Sequence, residues 1–375
     1  MKIIKLQIVA GARPNFMKVA PLLKAIDKYN QTRSPNNPHL ETFLAHTGQH
    51  YDEYMSEIFF RELGIKPPDI NLEVGSGSHA YQTANIMLKF EPVCLSYKPD
   101  WVIVVGDVNS TLVCSLVCAK IGIKIAHVEA GLRSFDRTMP EEINRIVTDA
   151  LSDLLFTPSE DANANLLAEG IPESKIKLVG NIMIDSLIEK LPEVKKSRII
   201  DQLGLSPHKY IYITLHRPSN VDDKEKLASI INSLIEISKK INVVYPVHPR
   251  AKKIISDMNL AKIPGNIYRL TLLDPIGYID SLFLVDNARL VLTDSGGLQE
   301  EATYFRTPCL TLRPNTERPI TIKVGSNQLT SLNNLIDDIQ NILNGPLKRG
   351  KIQPLWDGKT SDRIIKEISS SIYLL

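Results

Sequence analysis

The chain has 375 residues, a length that predicts two domains rather than a single hydrophobic core. Its 44 Lys and Arg and 42 Asp and Glu give a formal net charge of +2, which offers no electrostatic argument for binding nucleic acid or a membrane surface. No apolar run approaches the roughly 20 residues of a membrane-spanning helix. The N-terminal run has the character of a β-strand, not of a signal peptide.

Strand patterns alternate with helical patterns almost throughout the chain. The strand patterns are, in order, "IIKLQIVAG", "ETFLAHTG", "WVIVVGD", "KIAHVEAG", "LLFTPS", "IKLVGN", "YIYITLH", "NVVYPVH", "ARLVLTDSGG" and "TPCLTLR". Helical patterns include "RPNFMKVAPLLKAIDKY", "DEYMSEIFFRELG", "TLVCSLVCAKIG" and the final "TSDRIIKEISSSIYLL". Short β-branched runs that end at Gly, Asp or His are typical of parallel strands with polar carboxyl ends.

These repeated βα units predict a doubly wound α/β fold with ligands at the carboxyl edge of each sheet. A charged stretch with two prolines at 190–208 marks the boundary between two blocks of such units. We therefore predict Rossmann-like domains at 1–190 and 191–375, with the last helix packing back on the first domain. A site between them would be a central cleft that domain motion closes.

The cysteines give an indication of compartment. They are Cys94, Cys114, Cys118 and Cys309. Cys114 and Cys118 lie four apart on one face of an apolar helix pattern, which indicates core packing rather than a disulfide or metal pair. Reduced core thiols predict a cytoplasmic protein.

The segment "GARPNFMK" at 11–18 joins the first strand to a helix. Gly11 permits the turn and Pro14 suits a helix start. Helix N-termini attract anions, and Arg13 and Lys18 would add positive charge there. An ordinary turn with two surface cations explains the pattern equally well.

The segment "TDSGGLQEE" at 293–301 places two glycines at the start of a helix. Ser295 precedes Gly296 and Gly297, whose uncovered N–H groups would let a diphosphate approach the backbone. Glu301 lies one turn further on, where it can accept hydrogen bonds from a ribose diol. The motif is neither GxGxxG nor a P-loop, which argues against NAD and ATP.

Several carboxylates occur at or near predicted strand ends. Asp107 directly follows a strand, although capping of the next helix is a simpler role for it. Glu129 is harder to explain as a surface residue, because the run around it is apolar. Glu141 and Glu142 begin a helix, where acids favour the positive dipole end, so one of them serves only the helix start. Arg145 allows an ordinary i,i+4 pair with Glu141.

Two histidines follow strands of the second block. His216 and His248 each come directly after an apolar strand, which suggests one shared edge that faces a ligand. The chain has no H-E-x-x-H motif, and a loop glycine separates His46 from His50. We therefore predict no metal site.

Together these segments resemble the non-hydrolysing UDP-N-acetylglucosamine 2-epimerases over essentially the whole chain. The residues that carry the resemblance are "GARPNFMKVAPL", "TGQHYD", "GDVNST", "HVEAGLRS", "MPEEINR", "VGN", "LHRPSNVD", "YPVHP", "DSGGLQEE" and "TERP", in this order.

The resemblance implies two facing Rossmann-like domains of the glycosyltransferase-B type, a UDP-sugar substrate, no cofactor and a homodimer. The family route eliminates UDP to give a 2-acetamidoglucal and adds it back to the other face of the sugar. The implied catalytic residues are Asp107, Glu129, Glu141 and His216. The implied substrate-binding residues are Arg13, Lys18, Arg145, His248, Ser295, Gly296, Gly297, Glu301 and Arg318.

Three alternatives remain open at this point. The substrate could be another UDP-2-acetamido sugar, for instance a diacetamido uronic acid or a 6-deoxy sugar, and a hydrolysing relative would release free N-acetylmannosamine. A retaining glycosyltransferase of the same fold would need an acceptor site, of which the sequence gives no sign. A nucleotide-sugar binding module without catalysis would not need the three carboxylates.

Overall fold

The structure, a computed structural model, describes residues 2–48, 63–257, 269–346 and 348–371, without the side chains at positions 13, 14, 249, 250, 253 and 257. By its internal contacts the chain divides into two compact units, residues 1–188 with 354–375 and residues 189–353. Each unit is an α/β domain built on a parallel sheet. The helix predicted over "DEYMSEIFFRELG" lies outside the described residues, apart from its last two positions.

The first unit contains a sheet of seven described strands in the order β3-β2-β1-β4-β5-β6-β7, all parallel. These strands are β1 (Ile3–Ala10), β2 (His39–His46), β3 (Ile70–Asn71), β4 (Trp101–Val105), β5 (Lys124–Val128), β6 (Leu154–Thr157) and β7 (Ile176–Leu178). Its helices are α1 (Arg13–Thr32), α2 (His79–Tyr97), α3 (Asn109–Ile121), α4 (Pro140–Leu151), α5 (Glu160–Ala168) and α6 (Ile182–Val194), in which the division between the units falls.

The second unit contains a sheet of six described strands in the order β10-β9-β8-β11-β12-β13, also parallel. They are β8 (Tyr210–Thr214), β9 (Asn242–Pro246), β10 (Leu270–Leu273), β11 (Leu290–Thr293), β12 (Cys309–Leu312) and β13 (Asn327–Thr330). The helices are α7 (Ile199–Gln202), α8 (Pro218–Val221), α9 (Lys224–Ser238), α10 (Pro249–Asp257), α11 (Tyr278–Asp286), α12 (Gly296–Phe305), α13 (Pro319–Lys323) and α14 (Leu335–Asn344).

The last helix, α15 (Thr360–Ser370), belongs to the first unit, where it packs against α1. The buried Asp185 carboxylate accepts hydrogen bonds from the backbone N–H of Thr360 (3.1 Å) and Ser361 (2.7 Å), so it caps this helix. The indole N–H of Trp356 donates to the carbonyl of Pro158. These contacts fix the returning segment to the unit in which the chain begins.

The sheet topology decides where a ligand can bind. In both sheets the strand order reverses beside the first strand of the unit, between β1 and β4 and between β8 and β11. Ligands of open α/β sheets bind at such a switch point, beyond the carboxyl ends of the strands. The segments after β1, β4, β8 and β11 are those that contain Lys18, Asp107, His216 and Ser295.

Three strands, β3, β10 and β13, have no counterpart among the sequence-based predictions. All three are short, and each is an outermost strand of its sheet among the described strands. Edge strands need less apolar surface, so their sequences carry a weaker strand pattern. None of the described helices combines the length and the apolar composition required to cross a membrane.

Candidate active site

A buried ion pair lies at the switch point of the first sheet. Asn15 fixes the start of α1: its Oδ1 accepts the N–H groups of Gly11 (3.0 Å) and Ala12 (2.9 Å), and its Nδ2 donates to the carbonyl of Val105. One turn into the helix, the Lys18 ammonium pairs with the carboxylate of Glu129, which follows β5. The surroundings bury both side chains, so neither charge is solvated by bulk water.

The backbone around this ion pair is strained. Glu129 has a φ of 75°, in the left-handed region that side chains other than glycine rarely adopt. Gly106 has a φ of 69°, and a Cβ there would lie 2.7 Å from the Lys18 Nζ. Strain of this kind persists only where the surroundings over-determine it, and it concentrates at functional sites.

Asp107 belongs to a second charge network. Arg145 donates from Nη1 to Asp107 Oδ2 (2.5 Å) and from Nη2 to Glu142 Oε2 (2.6 Å). Burial by itself would raise the pKa of Glu142, but hydrogen bonds from the Ser134 and Phe135 N–H groups and the Arg145 guanidinium lower it. Asp107 does not cap α3, whose N-cap is Val108, so the capping alternative is wrong.

Glu141 and Glu142 differ in their surroundings. Glu142 is 1% exposed and pairs with Arg145, whereas Glu141 is exposed in the first turn of α4. The ordinary i,i+4 pair between Glu141 and Arg145 is therefore not the one that forms. The exposed carboxylate of Glu141 remains available to a ligand and benefits from the helix dipole.

A network of buried polar side chains near the ion pair connects the loop after β4 to the loop after β5. His127 Nε2 lies 2.8 Å from the carbonyl of Gly106, so this nitrogen donates, and Nδ1 lies 2.6 Å from Asp149 Oδ1. Asp149 Oδ2 accepts the N–H of Gly131 (3.0 Å) and contacts the Arg133 Nη1 at 2.7 Å. Burial would raise the pKa of Asp149, but His127 and Arg133 hold it below its usual range. The network thus fixes the loops that present Asp107 and Glu129.

In the second unit, Asp294 organises the segment that follows β8. Its buried carboxylate accepts the backbone N–H groups of His216 (3.1 Å) and Arg217 (3.0 Å) and the side-chain amide of Asn220 (3.0 Å). The His216 Nδ1 lies 3.0 Å from Asp294 Oδ1. Burial would raise the pKa of Asp294, and these partners lower it.

The two histidines predicted to share an edge do lie side by side. The rings of His216 and His248 are 6.3 Å apart between centroids, beyond the adjacent strands β8 and β9. The side chain of His216 is 47% exposed, so a ligand can reach it.

The N-terminus of α12 lies close to Glu317 and Arg318. Ser295 is its N-cap, without a side-chain capping bond, and Gly296 and Gly297 form its first turn. A Cβ on Gly296 would lie 2.5 Å from Glu317 Oε1 and 2.6 Å from Arg318 Nη1, so only glycine allows this approach. This helix N-terminus therefore lies beside the Arg318 guanidinium, which Glu317 accompanies, and a helix N-terminus next to a guanidinium suits a phosphate.

Arg318 is held by two buried carboxylates. Its Nη1 donates to Glu317 Oε1 (2.5 Å) and its Nε lies 3.0 Å from Glu300 Oε1. Burial would raise the pKa of Glu317, but Arg318 and Arg313 hold it far below its usual range. The guanidinium is thereby fixed next to Gly296.

Glu301 lies one turn beyond Gly297, as the spacing predicts, and is buried. The Tyr278 hydroxyl donates to its Oε1 at 3.0 Å. Burial raises the pKa of Glu301 to about 8, against the opposing hydrogen bond from Tyr278 and with a smaller contribution from Glu300. A ligand that donates hydrogen bonds to this carboxylate would favour its ionised form.

The structure thus groups the predicted residues at two sheet edges. Lys18, Asp107, Glu129 and Arg145 lie with Glu141 at the first, and His216, His248, Ser295, Gly296, Gly297, Glu301 and Arg318 lie at the second. The side chain of Arg13 lies outside the described residues. The first group can exchange protons and the second can hold a diphosphate and a diol.

Gly106→Ala should destabilise the fold more than a matched glycine substitution. At Gly106 an alanine would have to keep a positive φ, and its Cβ would also displace the Lys18 side chain. At Gly122 (φ 76°) an alanine would keep a positive φ, but its Cβ would have no atom within 4 Å. Positive φ costs about 1–2 kcal/mol, and overpacking adds about 1–3 kcal/mol. Urea unfolding should give Gly106→Ala the larger loss in free energy. Equal losses for the two variants would mean that the space beside Lys18 is not restricted.

Glu301→Gln should change how stability depends on pH. The folded state keeps the Glu301 proton up to about pH 8, while the unfolded chain loses it near 4.5, so ionisation between these values lowers the free energy of unfolding. The variant lacks this loss, and its stability relative to the unsubstituted chain should rise from pH 5 to pH 8. Urea unfolding at both values measures this, with exposed Glu225→Gln as the control. A difference independent of pH would contradict the assigned shift.

Comparisons with known proteins identify the family of the chain. The family model "UDP-N-acetylglucosamine 2-epimerase" matches residues 33–369. A UDP-N-acetylglucosamine 2-epimerase of Methanocaldococcus jannaschii is 42% identical over 99% of this chain and 100% of its own. A UDP-2,3-diacetamido-2,3-dideoxy-D-glucuronate 2-epimerase of Pseudomonas aeruginosa is 42% identical over 88% of this chain and 89% of its own. The crystal structure of the Methanocaldococcus jannaschii enzyme with UDP-GlcNAc and UDP matches with a TM-score of 0.86 at 42% identity, covering 98% of this chain and 100% of that one. The chain therefore belongs to the UDP-N-acetylglucosamine 2-epimerase family.

Proposed function

We propose that the chain interconverts UDP-N-acetylglucosamine and UDP-N-acetylmannosamine by elimination of UDP and its re-addition. The bond between C1 and the β-phosphate oxygen breaks, its electron pair leaves with UDP, and C2 loses its proton to give a 2-acetamidoglucal. Re-addition forms the C1–O bond again while a proton reaches C2 from the opposite face. The sequence is redox-neutral, so the proposal includes no cofactor. Its main support is Glu129, held in a strained conformation over Lys18 at the sheet edge beside Asp107.

The carboxylates of the first unit would perform the proton transfers. Because C2 of a 2-acetamido sugar is not next to a carbonyl carbon, its proton cannot be removed by simple enolisation. Departure of UDP creates oxocarbenium character, which Asp107, Glu129 and Glu141 would stabilise. One of these groups would remove the C2 proton, and another would supply it on the opposite face. Arg145 would keep Asp107 in position through their 2.5 Å contact.

The second unit would bind UDP. Ser295 and the N–H groups of Gly296 and Gly297 would hold the diphosphate, and Arg318 would balance its charge. Glu301 would accept hydrogen bonds from the ribose diol. His216 is exposed and oriented by Asp294, and it would donate a hydrogen bond to the leaving phosphate. His248 lies beside it. Arg13 is assigned to the substrate from the motif alone.

Neutralising any of the three proposed catalytic carboxylates should lower turnover strongly. Asp107→Asn, Glu129→Gln and Glu141→Gln should each lower kcat by on the order of 100-fold or more, because proton transfer contributes about that factor. The assay incubates each protein with UDP-N-acetylglucosamine alone and separates the products. Glu160→Gln, an exposed acid in the first turn of α5, is the matched control.

The products separate the alternatives. UDP-N-acetylmannosamine supports the proposal, free sugar with UDP indicates a hydrolase, and unchanged substrate leaves a transferase or a binding module. If two of the three variants keep near-normal rates, the assignment of the carboxylates is wrong.

A second substrate deserves the same assay because the Pseudomonas aeruginosa relative is named for UDP-2,3-diacetamido-2,3-dideoxy-D-glucuronate and is also 42% identical. That sugar carries a carboxylate, which would require an additional cation at the sugar site. Comparing kcat/KM for the two UDP-sugars decides between them, and a larger value for the uronate would replace the proposed substrate.

We propose further that the chain forms a homodimer through α2. Tyr81, Leu88 and Leu95 are exposed by 53%, 73% and 56%. They are spaced seven residues apart, which places them along one face of the helix. A two-fold symmetric pair of copies would bury this stripe against itself.

Leu88→Glu should shift the chain towards the monomer, because it places a charge at the centre of the proposed contact. We expect the dimer dissociation constant to rise by at least about 30-fold, the size of a central contact in such an interface. Light scattering over a dilution series measures this change. Leu167→Glu, at an apolar residue of α5 that is 48% exposed, is the control. Equal effects of both substitutions, or an unchanged dimer, would contradict an interface at α2.

We also propose a cytoplasmic location. Cys94, Cys114, Cys118 and Cys309 are all free thiols in buried positions. Burial raises the pKa of the Cys309 thiol to about 12, which keeps it protonated. Unpaired, unreactive thiols fit a reducing compartment.

A further inference from the structure

A concave site lies in the unit of residues 189–353, at the amino ends of its strands. Ser295 lies at the other end of the sheet, beyond the carboxyl ends of the strands. The concave site has a volume of about 460 Å³. Its lining includes Lys209, Asn242, Arg269 and Arg289, each of which stands at or just before the amino end of a strand. The diphosphate site proposed above lies at the carboxyl ends of the same strands, so the two sites are separate.

The strand order arranges cations in a row along this edge. Arg269 precedes β10, Lys240 lies two residues before β9, Lys209 precedes β8 and Arg289 precedes β11. These four strands are neighbours in the order β10-β9-β8-β11. Neighbouring strands lie about 4.8 Å apart, so the row extends over about 14 Å. Residues far apart in the sequence thus form one continuous basic surface.

The described lining of this cavity contains basic side chains and no acid to offset their charge. His208 adds a fifth basic side chain, and no carboxylate is among the described residues that line the cavity. A smaller adjoining cavity of about 160 Å³ shares His208 and Arg289, adds Arg306 and Arg349, and has Asp286 as the single acid of its described lining. The chain as a whole carries a net charge of only +2, so general basicity does not explain the row.

The cations differ in how firmly they are held. Arg289 is half-buried, and its Nη2 donates to the carbonyl of Leu343 at 3.0 Å, which fixes its guanidinium at the cavity. Lys209, Lys240 and Arg269 are exposed and can adjust to a ligand. Like charges around one concavity repel each other, and a bound anion relieves that repulsion. Arginine fits phosphate oxygens through paired N–H donors, and lysine adds point charges.

We propose that this cavity binds a small molecule that carries several phosphate groups, an organic polyphosphate. Its volume falls within the range of about 300–1,000 Å³ that is usual for small-molecule sites. The side-chain amides of Asn242, Gln340 and Asn344 in the lining supply neutral hydrogen bonds for the rest of the molecule. Binding here requires neither the epimerase reaction nor its residues.

Calorimetry with inorganic triphosphate as the probe tests this assignment. The full chain, saturated with UDP, should bind about one triphosphate at an ionic strength of about 0.15 M, where screening suppresses diffuse attraction. Lys240→Glu combined with Arg269→Glu should weaken binding at least 10-fold. Lys224→Glu combined with Lys366→Glu makes the same change in net charge at exposed positions elsewhere and should leave binding unchanged.

Three results would overturn the proposal. They are the absence of saturable binding, an equal loss in both double variants, and triphosphate binding that occurs only when UDP is left out, which would place the triphosphate at the substrate site. Circular dichroism on both double variants confirms that each is folded. Because calorimetry detects binding without turnover, failure of the proposed epimerase reaction would leave this result unaffected.

Discussion

The buried ion pair between Lys18 and Glu129 is the contact on which the first unit's site depends. It joins the helix that follows β1 to the loop that follows β5, across the intervening strand β4. Removing one partner of such a buried pair typically costs about 3–5 kcal/mol, because the other charge stays uncompensated. Glu129 adopts a strained positive φ in this pair, and Gly106 leaves room for the Lys18 ammonium because it has no Cβ.

In both units, buried charged groups hold the charged side chains of the proposed site in position. In the first, Glu142 orients Arg145, which contacts Asp107, and His127 with Asp149 ties the flanking loops together. In the second, Asp294 orients His216, and Glu300 with Glu317 orients Arg318. Such pre-organisation lets a site stabilise developing charge without rearranging during the reaction.

The sequence predicts the architecture well because parallel buried strands carry a strong apolar pattern that ends in polar residues. It also predicts which residues follow those strands, and hence the sheet edge at which Asp107, Glu129, His216 and Ser295 lie. The fold class and the family are confirmed. The roles of the individual site residues and the domain boundary at 190 stay predictions.

The buried partners are what sequence reasoning missed. Asp149 and Glu317 look like ordinary surface charges, because burial of a charge is a tertiary property with no local pattern. One signal was present in α4: Glu142, Arg145 and Asp149 recur at spacings of three and four and share one helix face. Reading that face as buried would have identified Glu142, rather than Glu141, as the partner of Arg145.

The central claim is that the proton on C2 leaves the sugar and returns from a protein acid. Running the reaction in heavy water and examining the product by mass spectrometry and proton NMR tests it most directly. Elimination and re-addition predict one deuterium at C2 of the UDP-N-acetylmannosamine formed. Product that keeps the original hydrogen at C2 would contradict elimination and the assignment of the carboxylates around Glu129.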